Sequence, residues 1–332
     1  MIWELFKIPE VLMGVNTHRL ILMPRYICFA LLALSLAGCG PSGPTSVHVD
    51  PALLTLIPTD TIVLAGMKLD AARKTPTYER MNAALHLDAP LEEIATKTGF
   101  DPRSEIWEVL LAGNGKDSVV FARGKFSPHG IEPDFKKDGV TKTPYKGYTL
   151  IGADDFVLTF VNSTVAVAGK PDAVRRVIDG RDSGTGPTPA MLERLNRIPR
   201  GNQFWAVTMS AQTYLPKDIP IPQIGGMLGG FAGNIPKILG MLESGDAAID
   251  ITSGLKLTIN ASCTSEENAK QINGFVRGVI GMGRLQAGQD WLPVFDGFGT
   301  AVNQKTASVT LTLAGADWEK LLERAEAMRP KR

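Results

Sequence analysis

A short apolar run near the start of the chain, residues 27–37, constrains this protein more than any other feature of its sequence. Arg25 precedes the run, and Gly38 and Gly40 follow it. The run is shorter than the roughly 20 apolar residues that span a bilayer core, and the glycines and prolines behind it would end a buried helix. A positive start, a short apolar middle and small residues at the end are typical of an export signal, so we expect residues 1–38 to be a signal peptide.

The four residues at the end of this run are Leu36-Ala37-Gly38-Cys39. They resemble the lipobox of bacterial lipoprotein precursors. The resemblance implies that signal peptidase II cuts before Cys39, whose thiol is diacylated and which becomes the lipidated N-terminus. In the lipoproteins that this motif resembles, Asp directly after the cysteine favours retention in the inner membrane. This chain has Gly40 there, so the resemblance implies the outer membrane if the organism has an outer membrane. We expect a protein anchored by lipid on the periplasmic side. Two acyl chains attach a protein stably to a bilayer, whereas one alone binds only marginally.

The residues before Met23 do not suit a signal peptide, because Glu4 and Glu10 place negative charge where positive charge is typical. We therefore expect translation to begin at Met13 or Met23. Residues 39–50 contain the lipidated cysteine and a stretch of Gly, Pro, Ser and Thr, and they predict a flexible tether.

Charge and cysteine content exclude some classes of protein. Removal of residues 1–38 lowers the basic residues from 35 to 32 and the acidic residues from 34 to 32, so the mature chain is almost neutral. Nucleic-acid binding is not expected, because it requires a basic surface. Cys28 leaves with the signal and Cys39 carries lipid, so the body has no internal disulfide. Cys263 is predicted to be a buried, inert thiol.

The body reads as two similar halves, residues 51–199 and 200–330. In each, the predicted order is strand, helix, hairpin, helix, strands and closing helix. Hairpins dominate, so each half is expected to be a mostly antiparallel sheet with helices packed on one face, an α+β fold. The predicted strands are residues 61–68, 106–112, 118–124, 148–151, 156–161, 164–168, 203–209, 247–252, 255–261, 297–302 and 308–313. The predicted helices cover residues 76–85, 90–98, 131–135, 171–179 and 190–197, and two more follow Thr264 and Asp317.

Local signals support several of these elements. Asn114-Gly115 indicates a hairpin turn. Thr264 with Glu267 forms a capping-box pattern before a helix, and Asp317 is predicted to cap the final helix. Asp246, near a predicted hairpin, is interpreted as a turn residue.

Four short segments of the first half resemble a loosely defined set of uncharacterised bacterial envelope proteins. They are residues 98–102, 121–126, 145–148 and 165–169, and they read TGFDP, FARGKF, YKGY and VAVAG. The resemblance covers roughly residues 55–180 and supports the fold prediction. It carries no activity.

No catalytic or metal-binding pattern stands out, so we predict a protein that is not an enzyme and uses no cofactor or metal. His48, His86 and His129 have no His or Cys at metal-ligand spacing. Residues 113–118 lack the glycine that a phosphate loop needs and join two strands, which favours a hairpin turn. No serine nucleophile elbow occurs.

The most unusual segment of the body is the glycine-rich apolar stretch at residues 219–242. Three interpretations remain open: a helix packed on the second sheet, the lip of a cavity for an apolar ligand, or a contact with the bilayer. The candidate contact residues are Ile224, Met227, Leu228, Phe231 and Ile235.

The sequence thus predicts a lipid-anchored cell-envelope protein whose role is binding or structural. The alternative is a carrier or chaperone for an apolar envelope component such as lipid or lipoprotein. That alternative predicts a cavity bordered by residues 224–239 and by the helix at residues 266–285. The membrane is the one partner that the sequence identifies.

Overall fold

The computed structural model describes residues 49–85, 92, 95–96, 100–126, 141–153, 155–181, 186–210 and 235–327. These residues form two compact units. The first contains the described residues up to Leu192 together with those from Leu322 onward, and the second runs from Glu193 to Leu321. Both units combine helices with antiparallel strands, which confirms the predicted α+β class.

The first unit contains one antiparallel sheet within the described residues. Its strands are β1 (Val63–Lys68), β2 (Ile106–Gly113), β3 (Ser118–Gly124), β4 (Thr141–Tyr145), β5 (Tyr148–Ala153), β6 (Phe156–Asn162) and β7 (Val165–Gly169). They pair in the order β1-β2-β3-β7-β6-β5-β4. The helices of this part of the chain are α1 (Pro51–Leu54), α2 (Leu69–Ala72), α3 (Pro76–Leu85), α4 (Pro102–Glu105), α5 (Pro171–Gly180) and α6 (Pro189–Leu195).

Most of the predicted elements of this unit are confirmed, with differences that have a physical cause. The predicted helices at residues 90–98 and 131–135 lie largely or wholly outside the described residues. Strand β4 was not predicted. Its residues are mostly exposed and include Lys142 and Pro144, so it lacks the apolar alternation that marks a half-buried strand.

Short turns set the register of the hairpins. The Asn114 side-chain oxygen accepts hydrogen bonds of 3.0 Å from the backbone N–H groups of Lys116 and Asp117, and Gly115 has a φ of +87°. Between β4 and β5, Lys146 and Gly147 have φ values of +46° and +82°, which is the geometry of a two-residue primed turn. The predicted turn at Asn114-Gly115 is confirmed.

Apolar side chains are buried on both faces in the middle of this sheet. Every residue of β7 is buried, and α5 buries Ala173, Val174, Val177 and Ile178. A second cluster contains Phe100, Ile106, Val120, Ala122, Phe126, Leu158, Ala166 and Ala168. The sheet therefore has a core on each side rather than one apolar face and one solvated face.

The second unit also contains an antiparallel sheet. Its strands are β8 (Phe204–Thr208), β9 (Leu242–Asp250), β10 (Gly254–Cys263), β11 (Phe298–Asn303) and β12 (Thr306–Ala314), which pair in the order β11-β12-β10-β9-β8. Its helices are α7 (Ile235–Gly240), α8 (Glu266–Gln286), a 3₁₀ turn (Gln289–Trp291), α9 (Leu292–Asp296) and the start of α10 (Gly315–Ala327). The predicted similarity of the two halves is not confirmed, because the described residues contribute seven strands in the first unit and five in the second.

Helix α8 covers the apolar face of this sheet. It buries Ala269, Ile272 and Val276 in a cluster with Ala261, Cys263, Ala307 and Val309 of the strands. Cys263 is fully buried, as predicted, and desolvation raises the pKa of its thiol. The thiol is therefore protonated and unreactive at neutral pH.

Two predicted helix caps are wrong. The residue that caps α8 is Ser265, whose hydroxyl accepts a 3.1 Å hydrogen bond from the N–H of Asn268; Thr264 lies one position earlier. Asp317 does not cap α10, because that helix already begins at Gly315. Its carboxylate lies in the first turn, where it still interacts favourably with the helix dipole.

Polar side chains of β9 and β10 are satisfied by one another and by Arg194 of α6. The Arg194 guanidinium donates to the hydroxyl oxygens of Ser244 and Ser262, and its Nη1 lies 3.7 Å from Asp246 Oδ2. Asp246 accepts a 2.6 Å hydrogen bond from Asn260 Nδ2. Burial is the main cause that raises the pKa of Asp246 and lowers that of Arg194. The interpretation of Asp246 as a turn residue is wrong, because it lies buried inside β9.

Replacing Arg194 by Met is expected to lower the free energy of unfolding by about 3 kcal/mol, because it leaves the buried Asp246 carboxylate without its cation. Adding Asp246→Asn to this variant is expected to restore part of the loss. The control is Arg197→Met, which removes an exposed ion pair with Glu193 and is expected to cost less than about 1 kcal/mol. Urea unfolding at pH 7 measures all three, and equal losses for Arg194→Met and Arg197→Met would contradict the prediction.

Candidate functional site

The site residues predicted from sequence lie mostly outside the part of the chain that the structure describes. This applies to Leu36, Ala37, Gly38 and Cys39, and also to Ile224, Met227, Leu228 and Phe231. Ile235 begins α7. The lipid anchor and the contact with an apolar ligand or with the membrane therefore stay predictions.

Part of the border of the predicted apolar cavity lies within the described residues. Ile238 and Leu239 pack against the same cluster as Ile272 and Val276 of α8. Side chains therefore fill the space between these two described borders of the predicted cavity. The rest of that border, residues 224–234, lies outside the described residues.

Two other kinds of feature are absent from the described residues. None of the helices in these ranges is long and apolar enough to cross a membrane. Nor do the described residues contain a group of three His, Cys, Asp or Glu side chains arranged to hold a metal ion.

A depression of about 460 Å³ in the first unit lies between α5 and strands β4–β6. Most of its charged side chains form ion pairs with one another. The Asp117 carboxylate lies 3.3 Å from Lys170 Nζ and 2.9 Å from Arg176 Nη2, and these cations lower the pKa of Asp117. Arg175 likewise lies 2.9 Å from Asp172. Ion pairs therefore line the depression. Those of Asp117 hold the hairpin between β2 and β3 against α5.

The most unusual polar arrangement in the first unit is at Asp50, where the predicted tether ends and the body begins. The Asp50 carboxylate accepts a 2.8 Å hydrogen bond from the N–H of Ala52, which caps α1, and a 2.9 Å hydrogen bond from Arg123 Nε. The Asp50 N–H donates to Glu108 Oε2 at 3.3 Å. Asp50, Glu108 and Arg123 are here called the junction cluster. Through it, both the backbone and the side chain of Asp50 bind the sheet.

Strand pairing positions the other two members of this cluster. Glu108 lies in β2 directly opposite Arg123 in β3 and opposite Lys68 in β1. Arg123 also donates a 3.1 Å hydrogen bond to the backbone oxygen of Thr164, and its guanidinium lies 5.5 Å from the ring centre of Trp107. The arginine is therefore held on several sides, so its position does not depend on Asp50 alone.

Glu108 is the electrostatic centre of the cluster. Only 8% of the residue is exposed, and its Oε1 has no hydrogen-bond partner among the described residues. Desolvation is the main cause that raises the pKa of Glu108 from 4.5 to about 7; Asp50 and Asp70 raise it further, whereas the Asp50 N–H and Lys68 lower it. The side chain therefore keeps its proton at pH values well above those at which an exposed glutamate ionises.

The junction cluster was not predicted from the sequence, although β2 carries a signal for it. Ile106, Glu108 and Leu110 are the buried residues at the start of that strand, so an acidic residue occupies a buried position among apolar residues. A buried carboxylate requires partners, and that requirement marks Glu108 as unusual. Nothing in the sequence identifies Asp50 as the partner.

Comparisons with known proteins give a fold and no family. No protein-family model matches the chain, and no curated protein matches it. The crystal structure of TP0453 in crystal form III aligns over 85% of this chain and 99% of that protein at 12% identity, with a TM-score of 0.50. Crystal form I of the same protein aligns over 85% and 99% at 13% identity, with a TM-score of 0.49. At this identity the similarity to crystal form III shows a related fold alone.

Because the pKa of Glu108 is raised, the stability of the fold is expected to fall as the pH rises. A carboxyl whose pKa is higher in the folded state stabilises the fold when protonated. This contribution is fully present below about pH 4.5 and is lost as the pH rises to about 7. Glu108→Gln, which stays neutral, is therefore expected to gain stability relative to the parent between pH 4 and pH 8, by at most about 3 kcal/mol.

Urea unfolding of both proteins across this range measures the difference. Glu105→Gln is a matched control, because Glu105 also accepts a backbone N–H, that of Asp101, through one carboxylate oxygen. The Glu105→Gln protein is expected to keep the pH dependence that Glu108→Gln removes. A difference in stability between the parent and the Glu108→Gln protein that stays constant from pH 4 to pH 8 would show that the fold does not shift the titration of Glu108.

Proposed function

We propose that this protein is a lipid-anchored component of the bacterial cell envelope whose body binds another molecule or serves a structural role. The observation that carries the proposal is the sequence Leu36-Ala37-Gly38-Cys39 at the end of a short apolar run. Acylation of Cys39 attaches the chain to a bilayer on the periplasmic side, and more than one acyl chain is needed for stable attachment. In an organism with two membranes, the outer membrane is the expected address.

The junction cluster, which lies at the start of the folded body, also supports this proposal. A protein held at its N-terminus transmits any displacement from the membrane to the point where its tether joins the fold. At Asp50 that point is held by the α1 cap, by Arg123 and by Glu108. These bonds connect the start of the body to the inner strands β2 and β3 rather than to a loop.

A binding or structural role is favoured over catalysis by the state of the charged groups. In the depression beside α5, Asp117 and Asp172 are paired with Lys170, Arg175 and Arg176, and Glu108 is buried beneath Asp50. A general acid or base needs access to a substrate proton. The same role is favoured over a carrier of apolar molecules, because Ile238 and Leu239 pack against the α8 cluster.

Metabolic labelling with palmitate tests the anchor. The parent protein is expected to incorporate label and to fractionate with membranes, whereas Cys39→Ser loses the label and leaves the membrane fraction. Cys28→Ser is the matched control, because Cys28 lies in the predicted signal, and it is expected to behave like the parent. Label that persists in Cys39→Ser, or membrane fractionation that is unchanged in it, would refute the proposed anchor.

A further inference from the structure

The outer strands β4 and β11 differ in how they are protected. Strands β4 and β11 each pair with a single neighbour among the described residues. Strand β4 carries Lys142 and Pro144, two residue types that discourage pairing with another chain at a sheet edge. Strand β11 reads FGTAVN and contains neither a charge nor a proline. It therefore lacks both of the residue types that protect β4.

The backbone geometry of β11 identifies the groups that face outward. The N–H of Thr312 donates to the carbonyl of Gly297 at 2.9 Å, and the two-residue turn at Gln304 and Lys305 joins β11 to β12. Hydrogen-bonded and non-bonded pairs alternate along an antiparallel ladder. It follows that residues 297, 299, 301 and 303 bond to β12, whereas Phe298, Thr300 and Val302 direct their backbone N–H and C=O groups away from it.

A depression of about 290 Å³ lies beside this edge and is bounded by α8 and α9. Its apolar lining comes from Ile280, Phe295 and Phe298, while Arg277 and Arg284 of α8 provide positive charge. Arg277 is exposed. Arg284 lies 2.7 Å from the Asp296 carboxylate, so the two arginines and this acid leave one net positive charge along the groove.

We propose that β11 accepts an extended segment of a partner protein as an additional strand, and that acidic side chains of this segment contact Arg277 and Arg284. Main-chain hydrogen bonds to Phe298, Thr300 and Val302 supply affinity in strand addition, and side-chain contacts supply selectivity. A second copy of this chain is the less suitable occupant. Pairing β11 with itself would bring the arginines of both copies together, and like charges at an interface are costly.

This inference goes beyond the proposed function and does not depend on the lipid anchor. It can be tested on the purified full chain carrying Cys39→Ser, so that loss of anchoring and loss of strand addition are separate results. The probe is a synthetic peptide, Val-Thr-Glu-Thr-Val-Thr-Glu-Thr. Its glutamates are about 13 Å apart when extended, close to the separation of about 10 Å between two residues seven positions apart on a helix. The control peptide replaces both glutamates with lysines.

Amide hydrogen exchange measured by NMR is the direct readout. In the free protein, the N–H groups of Phe298, Thr300 and Val302 are expected to exchange faster than those of Gly299 and Ala301. The glutamate peptide is expected to slow the exchange of the first three, and the lysine peptide is not. Slow exchange of the three amides in the free monomer or in a dimer would overturn the proposal, because the edge is then already paired. So would the absence of any change with the glutamate peptide.

Two variants separate the contribution of backbone hydrogen bonds to peptide binding from the contribution of charge. Thr300→Pro removes an outward N–H without removing a bond to β12 and is expected to weaken binding about fivefold, the effect of one lost hydrogen bond. Arg277→Glu, at an exposed position, is expected to weaken the glutamate peptide about fivefold and to favour the lysine peptide. Lys142→Pro, the same kind of change in β4, is expected to leave the affinity unchanged. Equal affinity of the parent and both β11-groove variants would overturn the proposal.

Discussion

Removing a carboxylate from water is the most demanding step in building these sheets, and the two units meet that demand differently. In the second unit, Asp246 faces Arg194 and accepts a hydrogen bond from Asn260, so charge and hydrogen bonds compensate burial together. In the first unit, the described residues provide Glu108 with one hydrogen bond, from the Asp50 N–H, and leave its Oε1 without a partner. The group compensates instead by retaining its proton to near pH 7. The contact of Asp50 with the sheet is therefore coupled to the protonation state of Glu108.

Much of the fold follows from local signals in the sequence. Asn114-Gly115 identifies a hairpin because its geometry is encoded within a few residues, and Pro171 begins a helix with a strongly apolar face. The errors occur where tertiary contacts override such signals. Strand β9 begins at Leu242, earlier than the predicted 247, because Ser244 and Asp246 resemble turn residues. Their hydrogen bonds to Arg194 and Asn260 instead allow these polar residues to be buried in a strand.

The junction cluster shows why the candidate site resisted prediction. Asp50 and Glu108 are 58 positions apart, and Asp50 and Arg123 are 73 positions apart. No periodicity connects residues at such distances; the pairing of β1, β2 and β3 brings them together. A sequence can mark Glu108 as an acid among buried apolar residues. It cannot say whether an arginine, a lysine or a backbone N–H will lie opposite, because that depends on strand order and register.

Attachment to a surface changes what an unprotected strand edge implies. Molecules confined to a membrane meet at a higher effective concentration than free molecules, so weak self-association becomes stronger without any new contact. An edge such as β11, without charge or proline of its own, would then be expected to pair with its copies. Arg277 and Arg284 lie beside that edge on a neighbouring helix. Positive charge at this position repels the same arginines of a second copy and attracts the acidic side chains of a partner strand. The same two side chains therefore oppose self-association and select a partner.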